Sequence, residues 1–343
     1  MHVREAGRIS SHGGRPAVLL LHGFPELSYS WRKVMQPLAD AGFHVIAPDQ
    51  RGYGETTGFD GRFDGDLAQY RMLNLVEDMA ALLRRLDISS AHVVGHDFGS
   101  PVAAYMALIR PHLVRRCVLM SAPFGGVPIG GRSGSVHDVL AKLGRKHYQW
   151  YYSTREADAD MLHAPQGLHA FLRAYYHYKS ADWKGNQPFR LAEWSATELA
   201  KLPTYYVMES DKGMAQTVAP FMPSRAPEWL TDDELSVYAH AFERTGFQPG
   251  LNWYRCMTHP QFSAELAAAT AGKKIGMPSM FIAGRSDWGI YQKPGELERM
   301  QEGVCTDFRG AHLVDGAGHW VQQEQPEKTV ELLLAFLKSG SGR

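Results

Sequence analysis

Ala91-His-Val-Val-Gly-His-Asp-Phe-Gly-Ser100 is a short apolar run that ends in Gly-His-Asp-Phe-Gly and passes directly into Pro101-Val-Ala-Ala-Tyr-Met-Ala107. This pattern predicts a buried strand, a sharp turn and a helix. Glycine tolerates backbone angles that other residues avoid, so a side chain at the tip of the turn would stand exposed above a sheet, beside the helix N-terminus. We therefore predict a nucleophile elbow with Asp97 as the nucleophile. A plain strand-to-helix turn with an N-capping aspartate fits the same stretch, and the rest of the chain has to decide.

Composition argues against several classes of protein. The 36 Lys and Arg residues equal the 36 Asp and Glu residues in number, so no nucleic-acid partner is expected. The three cysteines are far apart and lack disulfide or metal-ligand spacing, and neither a metal nor a cofactor is expected. The first residues carry no apolar signal segment, and the longest apolar runs, 17–21 and 332–337, are too short to span a bilayer. We therefore predict a cytoplasmic protein without a membrane partner.

Strand-like and helix-like segments alternate along much of the chain. Apolar residues at three-to-four spacing predict a helix over 72–86, and an amphipathic helix is predicted over 327–337. Strands are predicted at 2–6, 17–21, 44–48, 116–121, 280–283 and 312–315, and another begins at residue 91. This alternation favours an α/β fold with a mainly parallel sheet flanked by helices, whose strands all end at one edge. Only one candidate strand precedes 17–21, which leaves open whether an edge strand at the N-terminal side is missing.

The middle of the chain has a different character. A glycine-rich exit at 125–131 is followed by residues rich in Tyr, Trp, Met and His with few strand signals. Thr231-Asp-Asp-Glu234 is a capping box that predicts the start of a helix near the end of this region. A chain of 343 residues is long enough for one large domain with an insertion. We predict a core domain at 1–125 and 255–343 and an inserted helical cap, or lid, domain at 126–254.

Two further side chains follow predicted strands and complete a catalytic constellation with the nucleophile. His319 follows the final strand and is the candidate base, and Asp287 follows the strand before it and is the candidate acid that orients the base. The order nucleophile, acid, base is typical of the α/β-hydrolase fold. Asp315 is a competing acid, although it shares a strand-to-loop segment with the base. The N–H groups of Phe24 and Phe98 are predicted to form an oxyanion hole.

Four motifs together resemble the soluble epoxide hydrolase family of the α/β-hydrolase fold, and the resemblance extends over residues 14–337. They are Gly95-His-Asp-Phe-Gly99, His22-Gly-Phe-Pro-Glu26, Asp49-Gln-Arg-Gly-Tyr-Gly54 and Gly318-His-Trp320. In the lid, Tyr148-Gln-Trp-Tyr-Tyr152 and Leu251-Asn-Trp-Tyr-Arg255 resemble the segments that hold this family's paired substrate tyrosines. The resemblance assigns that role to Tyr148 and Tyr254, with Tyr151 and Tyr152 as alternatives to the first. Substrate contacts are expected from this pair, Phe24 and Trp150.

The resemblance implies an epoxide hydrolase that converts a small apolar epoxide and water into a vicinal diol, as in detoxification. An ester on Asp97 would form first, with the two tyrosines donating to the leaving oxygen, and water activated by His319 would then hydrolyse it. A haloalkane or haloacid dehalogenase is an alternative, but such enzymes usually place Trp or Arg after the nucleophile, where this chain has Phe98. A non-catalytic small-molecule-binding protein with a silent triad is the third interpretation. A homodimer is an open expectation.

Overall fold

The computed structural model describes residues 1–7, 14–126 and 133–339, with the backbone alone at 133–135. Within these ranges, seven strands form the central sheet in the order β1-β3-β2-β4-β5-β8-β9, and two more form a separate pair. In chain order they are β1 Val3–Ala6, β2 Ala17–Leu21, β3 His44–Pro48, β4 Ala91–His96, β5 Val114–Met120, β6 Arg145–His147, β7 Val207–Glu209, β8 Ser279–Gly284 and β9 Phe308–Val314. In the large sheet β1 pairs antiparallel with β3, and the other described pairings are parallel. The prediction of a mainly parallel sheet is confirmed.

Helices cover the sheet and fill the region between β5 and β8. In chain order they are α1 Arg32–Asp40, α2 Met72–Arg85, α3 Gly99–Ile109, α4 Ser133–Lys142, α5 Tyr148–Tyr152, α6 Glu156–Leu162, α7 Leu168–Lys179, α8 Ala196–Leu199, α9 Met214–Val218, α10 Asp232–Thr245, α11 Gln248–Thr258, α12 Pro260–Thr270, α13 Glu296–Arg299, α14 Val321–Glu324 and α15 Pro326–Lys338. Single helical turns occur at Ser28–Trp31, Leu67–Tyr70, Pro111–Leu113, Ala219–Phe221, Trp288–Ile290 and Met300–Val304. None of the helices in the described ranges is long and apolar enough to cross a membrane.

The inserted lid is mainly helical, as predicted. Its capping box forms at α10, where the Thr231 hydroxyl accepts from the N–H of Glu234 and the Glu234 carboxylate accepts from the N–H of Thr231. The antiparallel pair β6 and β7 was not foreseen, because strands of three residues are too short to show an alternating pattern. The predicted boundary between 254 and 255 falls inside α11, and both domain boundaries stay predictions. Most of the predicted exit at 125–131 lies outside the described residues.

The central strands are buried on both faces, and their C-terminal ends lie along one edge of the sheet. All residues of β2 and β4 are buried, with Val18 and Leu20 packed on one side of the sheet and Leu19 and Leu21 on the other. Covering both faces of these strands removes their apolar side chains from water, which stabilises the sheet. The neighbours β4, β5, β8 and β9 run parallel, so their C-terminal ends lie along the same edge. That edge is where open α/β sheets carry their functional sites.

Candidate active site

The turn between β4 and α3 presents Asp97 at the edge of the sheet. Asp97 has φ 50°, in the left-handed region that non-glycine residues rarely adopt and that is enriched at active sites. Gly95 and Gly99 do not share this conformation, so the expectation that they supply unusual backbone angles is wrong. They are needed for space, because a Cβ on Gly95 would lie 2.0 Å from the carbonyl oxygen of Gly99, and one on Gly99 would lie 2.2 Å from that of Leu21.

The side chain of Asp97 does not cap the helix that follows it. The N-cap position of α3 is Phe98, and no side chain caps it. The Asp97 carboxylate instead receives groups from two distant parts of the chain. Oδ1 accepts a hydrogen bond from the N–H of Phe24 at 2.9 Å, and Oδ2 lies 3.2 Å from Nε2 of His319. The alternative interpretation as a structural N-cap is therefore wrong.

The three side chains predicted to form a triad are in contact. Nδ1 of His319 lies 3.1 Å and 3.3 Å from the two carboxylate oxygens of Asp287, while Nε2 faces Asp97. Both His319 and Asp287 are buried. The competing acid, Asp315, is mostly exposed and pairs with Arg285. The structure therefore brings Asp287, and not Asp315, to the histidine.

The electrostatic surroundings favour the ionised form of both carboxylates. Burial raises the pKa of Asp97, but the hydrogen bond and charge of His319, with the positive charges of Lys179 and His96, lower it below its ordinary value. For Asp287, burial again raises the pKa, and the charge and hydrogen bond of His319 overcome that effect. A carboxylate that stays ionised at neutral pH can act as a nucleophile without prior loss of a proton.

Of the two predicted oxyanion-hole donors, the N–H of Phe24 makes a hydrogen bond to the Asp97 carboxylate. The Phe24 N–H reaches Asp97 because Gly23 packs directly against the carboxylate, where an added Cβ would lie 2.4 Å from the Cβ and Oδ1 of Asp97. The N–H of Phe98 makes no hydrogen bond to that carboxylate within the part of the chain that is described. The second donor of the hole therefore stays a prediction.

The two lid tyrosines pack together beside Phe24 and Phe98, the residues next to the Asp97 carboxylate. The ring of Tyr254 lies 5.9 Å from that of Tyr148, 5.5 Å from Phe24 and 5.1 Å from Phe98. Burial and the charge of Asp97 raise the pKa of both tyrosines well above its ordinary value. Both phenols therefore stay protonated and can donate hydrogen bonds at neutral pH.

The hydroxyls of Tyr151 and Tyr152 bind other residues, although the ring of Tyr152 lies in the same cluster, 5.1 Å from Tyr254 and 5.3 Å from Phe24. The hydroxyl of Tyr151 donates to Asp160 at 2.7 Å, and that of Tyr152 donates to Tyr175 at 3.2 Å. The ring of Trp150 lies 3.6 Å from that of His137, outside the cluster of Tyr148 and Tyr254, and the substrate contact predicted for it stays a prediction. Trp150 lies outside this cluster for a geometric reason, since side chains two positions apart on a helix do not share a face, and Trp150 is two positions from Tyr148.

A buried pair of side chains, Glu26 and His96, contacts the backbone of His319 and was not predicted from the sequence. Nδ1 of His96 lies 2.7 Å from Oε2 of Glu26, and its Nε2 donates to the carbonyl oxygen of His319 at 2.7 Å. Burial lowers the pKa of His96 and raises that of Glu26, but their mutual charge and hydrogen bond reverse both shifts and favour the ion pair. Both residues belong to motifs quoted above, and their contact across the fold carries no sequence signal of its own.

Lys179, the last residue of α7, is a second buried charge that the sequence did not indicate. Its ammonium lies 5.1 Å from the ring centre of Tyr206 and 5.3 Å from that of Trp320. Cations at this distance from aromatic rings are attracted to the ring faces. Its positive charge lowers the pKa of both Asp97 and Asp287, so it helps to keep two neighbouring carboxylates ionised.

An apolar cavity of about 160 Å³ adjoins the tyrosines. Phe98 and Trp253 form part of its wall, together with residues of α2, α3 and α12. Gln292 also lines it and accepts a hydrogen bond from the hydroxyl of Tyr148 at 3.3 Å. The cavity offers apolar space next to the group that would bind a reacting oxygen. No group of three or more His, Cys, Asp or Glu side chains suited to a metal ion occurs within the described ranges.

Known proteins resemble this chain along nearly its whole length. Residues 16–326 match the family model described as the alpha/beta hydrolase fold. The chain is 33% identical over 336 residues to epoxide hydrolase B of Mycobacterium tuberculosis, with 94% of this chain and 91% of the relative covered. It is 33% identical over 331 residues to an epoxide hydrolase of Caballeronia sordidicola, with 96% and 90% covered.

Solved structures give the same result. An epoxide hydrolase from an endophytic Streptomyces superposes with a TM-score of 0.79 at 31% identity, covering 98% of this chain and 91% of that one. Epoxide hydrolase I of potato (Solanum tuberosum) gives a TM-score of 0.76 at 30% identity, covering 98% and 95%. The fold prediction is confirmed, and the chain belongs to the epoxide hydrolase family of the α/β-hydrolase fold.

Proposed function

We propose that this protein hydrolyses an epoxide to a vicinal diol in two steps, through an alkyl ester of Asp97. The proposal rests on the contact between a mostly buried carboxylate and a histidine, with Oδ2 of Asp97 3.2 Å from Nε2 of His319. Burial, together with the charge of Asp97, also raises the pKa of Tyr148 and Tyr254. A carboxylate suits attack at an sp³ carbon, because water can then cleave the resulting ester. Similarity to proteins named epoxide hydrolases supports the same reaction.

In the first step, Oδ2 of Asp97 attacks a ring carbon of the epoxide, and the bond between that carbon and the ring oxygen breaks. The ring oxygen becomes an alkoxide, which is a poor leaving group unless it receives a hydrogen bond or a proton. Tyr148 and Tyr254 are suited to provide these, because both phenols remain protonated. Oδ1, which already accepts from the N–H of Phe24, becomes the carbonyl oxygen of the ester.

In the second step, His319 takes a proton from a water molecule through Nε2, and the resulting hydroxide attacks the ester carbonyl carbon. Asp287 accepts from Nδ1 of His319, so it holds the tautomer whose Nε2 is free to accept that proton. Negative charge then develops on Oδ1, opposite the N–H of Phe24. The ester bond breaks as His319 gives its proton to the departing oxygen, which came from Asp97. The proton of the new carboxylic acid replaces the one that the phenols gave to the ring oxygen, so the diol leaves and the carboxylate is restored.

The substrate proposed is a small epoxide with an apolar substituent, since aromatic rings pack around Phe24 and Phe98 and an apolar cavity is lined by Phe98, the residue next to Asp97. A second oxyanion-hole donor from Phe98 is part of the same proposal. A cytoplasmic location, a role in detoxification and a homodimer remain predictions.

The test uses the variant His319→Gln, which lacks the base for the second step but retains the nucleophile. The variant is incubated with styrene oxide or with a bromoalkane, its intact mass is measured, and the adduct is located by peptide mapping. A mass gain equal to the whole epoxide on the peptide that contains Asp97 is the expected result. An alkyl group gained only from the bromide, with halide released, would indicate a dehalogenase.

His112→Gln, at an exposed position, serves as the control and should turn over epoxide without accumulating an adduct. If neither probe modifies Asp97 and larger epoxides also fail, the protein is a binding protein with a silent triad.

A further inference from the structure

Three backbone N–H groups converge on the buried side chain of Glu324, at the end of α14. Oε2 accepts from Gly318 at 2.9 Å and from Ala181 at 2.8 Å, and Oε1 accepts from Trp320 at 2.9 Å. Two of these donors flank His319 in the chain. The third follows α7 and belongs to the lid. One carboxylate therefore binds both the loop of the base and a segment of the lid.

The two segments also touch directly. The N–H of His319 donates to the carbonyl oxygen of Lys179 at 2.9 Å. A Cβ on Gly318 would lie 2.5 Å from the carbonyl carbon of Ser180 and 2.6 Å from the nitrogen of Ala181, so no larger residue fits without displacing one of the two backbones. We call residues 179–181, residues 318–320 and the side chain of Glu324 the lid–base joint.

This joint fixes the base in a way that the nucleophile does not share. Asp97 is held mainly by the turn after β4 and by the N–H of Phe24, although its neighbour His96 also donates to the carbonyl oxygen of His319. Burial raises the pKa of Glu324 to about 8, and the three N–H donors oppose this effect because they favour the ionised carboxylate. A buried carboxyl group, ionised or protonated, is unfavourable unless its hydrogen bonds are made, so all three donors need to stay in place.

We propose that Glu324 is a positioning residue, which sets the orientation of His319 relative to Asp97 by binding the loop of the base to the end of α7. The inference rests on the proposed function, since it takes His319 as the base for ester hydrolysis. Ester formation needs the nucleophile and the tyrosines, whereas ester hydrolysis needs Nε2 of the base within reach of a water molecule at the ester. Loosening the joint therefore slows the second step more than the first.

The variant Glu324→Gln tests this directly. An amide presents one oxygen and one NH₂ group, so at least one of the three backbone donors loses its acceptor. In rapid-mixing experiments we expect hydrolysis of the ester to slow about 10- to 100-fold, because small displacements of a catalytic group have effects of this size, while ester formation slows less than about threefold. The ester then accumulates during turnover. Glu327→Gln, at an exposed position on α15, is the matched control and should change neither rate.

Equal slowing of both steps, or no change in either, would overturn the role of Glu324. If the wild-type protein itself forms no ester, the proposed function fails instead, so the two failures are distinguishable. Should Glu324→Gln not fold, hydrogen exchange of the wild-type protein replaces it. The amides of Gly318, His319, Trp320 and Ala181 should then exchange with one common opening free energy, as members of a single cooperative unit. Rates that differ more than about tenfold after correction for intrinsic exchange would contradict a joint.

Discussion

Gly23→Ala should reduce ester formation by displacing the nucleophile. The new Cβ would lie 2.4 Å from both the Cβ and Oδ1 of Asp97, about 1 Å inside ordinary van der Waals contact. The backbone of Gly23 does not lie in the left-handed region, so alanine brings no conformational strain and the effect is steric. A displacement of about 1 Å at a reacting group lowers the rate about 10²-fold, or roughly 2.7 kcal/mol in activation free energy. Overpacking should also cost about 1–3 kcal/mol of stability.

The assay is a single-turnover measurement of ester formation, combined with a thermal unfolding curve to verify that the variant is folded at the assay temperature. Gly276→Ala is the matched control, because Gly276 is exposed and an added Cβ would meet nothing within 4 Å. The control should keep the wild-type rate. If Gly23→Ala formed ester within about threefold of the wild-type rate with an unchanged Tm, the contact between Gly23 and Asp97 would not control the position of the carboxylate.

Three further predictions concern other parts of the site. Tyr148→Phe and Tyr254→Phe should each slow ester formation about 10- to 100-fold, because each removes a hydrogen bond to a charged oxygen. Rapid mixing should show that hydrolysis of the ester is nearly unchanged. Equal effects on both steps would argue that the tyrosines do not donate to the leaving oxygen. Asp287→Asn should slow hydrolysis of the ester about 10³- to 10⁴-fold, because the amide no longer fixes the His319 tautomer that carries its proton on Nδ1. Measurement of the intact mass should then show accumulated ester, and turnover at the wild-type rate would contradict this. The pKa of Glu26 is lowered from 4.5 and that of His96 is raised from 6.5. The Glu26 contribution to stability is therefore lost as the pH falls below 4.5, and the His96 contribution is lost as the pH rises above 6.5. Urea denaturation of the wild type and Glu26→Gln should thus give the largest difference in free energy of unfolding between these values, and a difference that grew steadily to about pH 9 would contradict the ion pair.

The sequence predicted the residues whose position follows from where strands end. Asp97, Asp287 and His319 each come shortly after a strand of the parallel sheet, and parallel strands that neighbour one another end at the same edge. The pattern of apolar residues was therefore enough to bring them together. It also favoured Asp287 over Asp315, which the structure leaves exposed at the surface.

What the sequence did not predict depends on contacts between distant segments. The pair of Glu26 and His96, and the bonds that Glu324 makes to two loops, join residues with no spacing rule between them. The short helix α5 set a different limit. Several aromatic residues in a row left open which of them faces the nucleophile, and only the direction of each side chain on the helix separates Tyr148 from Trp150.

The glycines of the elbow illustrate a third limit. Their presence correctly predicted a sharp turn, but the left-handed conformation belongs to Asp97 and not to them. The reason for Gly95 and Gly99 is the close approach of neighbouring backbones, which the sequence does not reveal.

The central claim is that Asp97 forms the bond to substrate carbon and that water attacks its carboxyl carbon afterwards. A single turnover with excess enzyme in H₂¹⁸O, followed by mass spectrometry of the diol and of the peptide containing Asp97, tests this claim most directly. We expect a diol without ¹⁸O and one ¹⁸O atom in Asp97. A diol that carries ¹⁸O from the first turnover, with unlabelled Asp97, would mean that water attacks a carbon of the epoxide or of its ester and not the carboxyl carbon of Asp97, and would refute this mechanism.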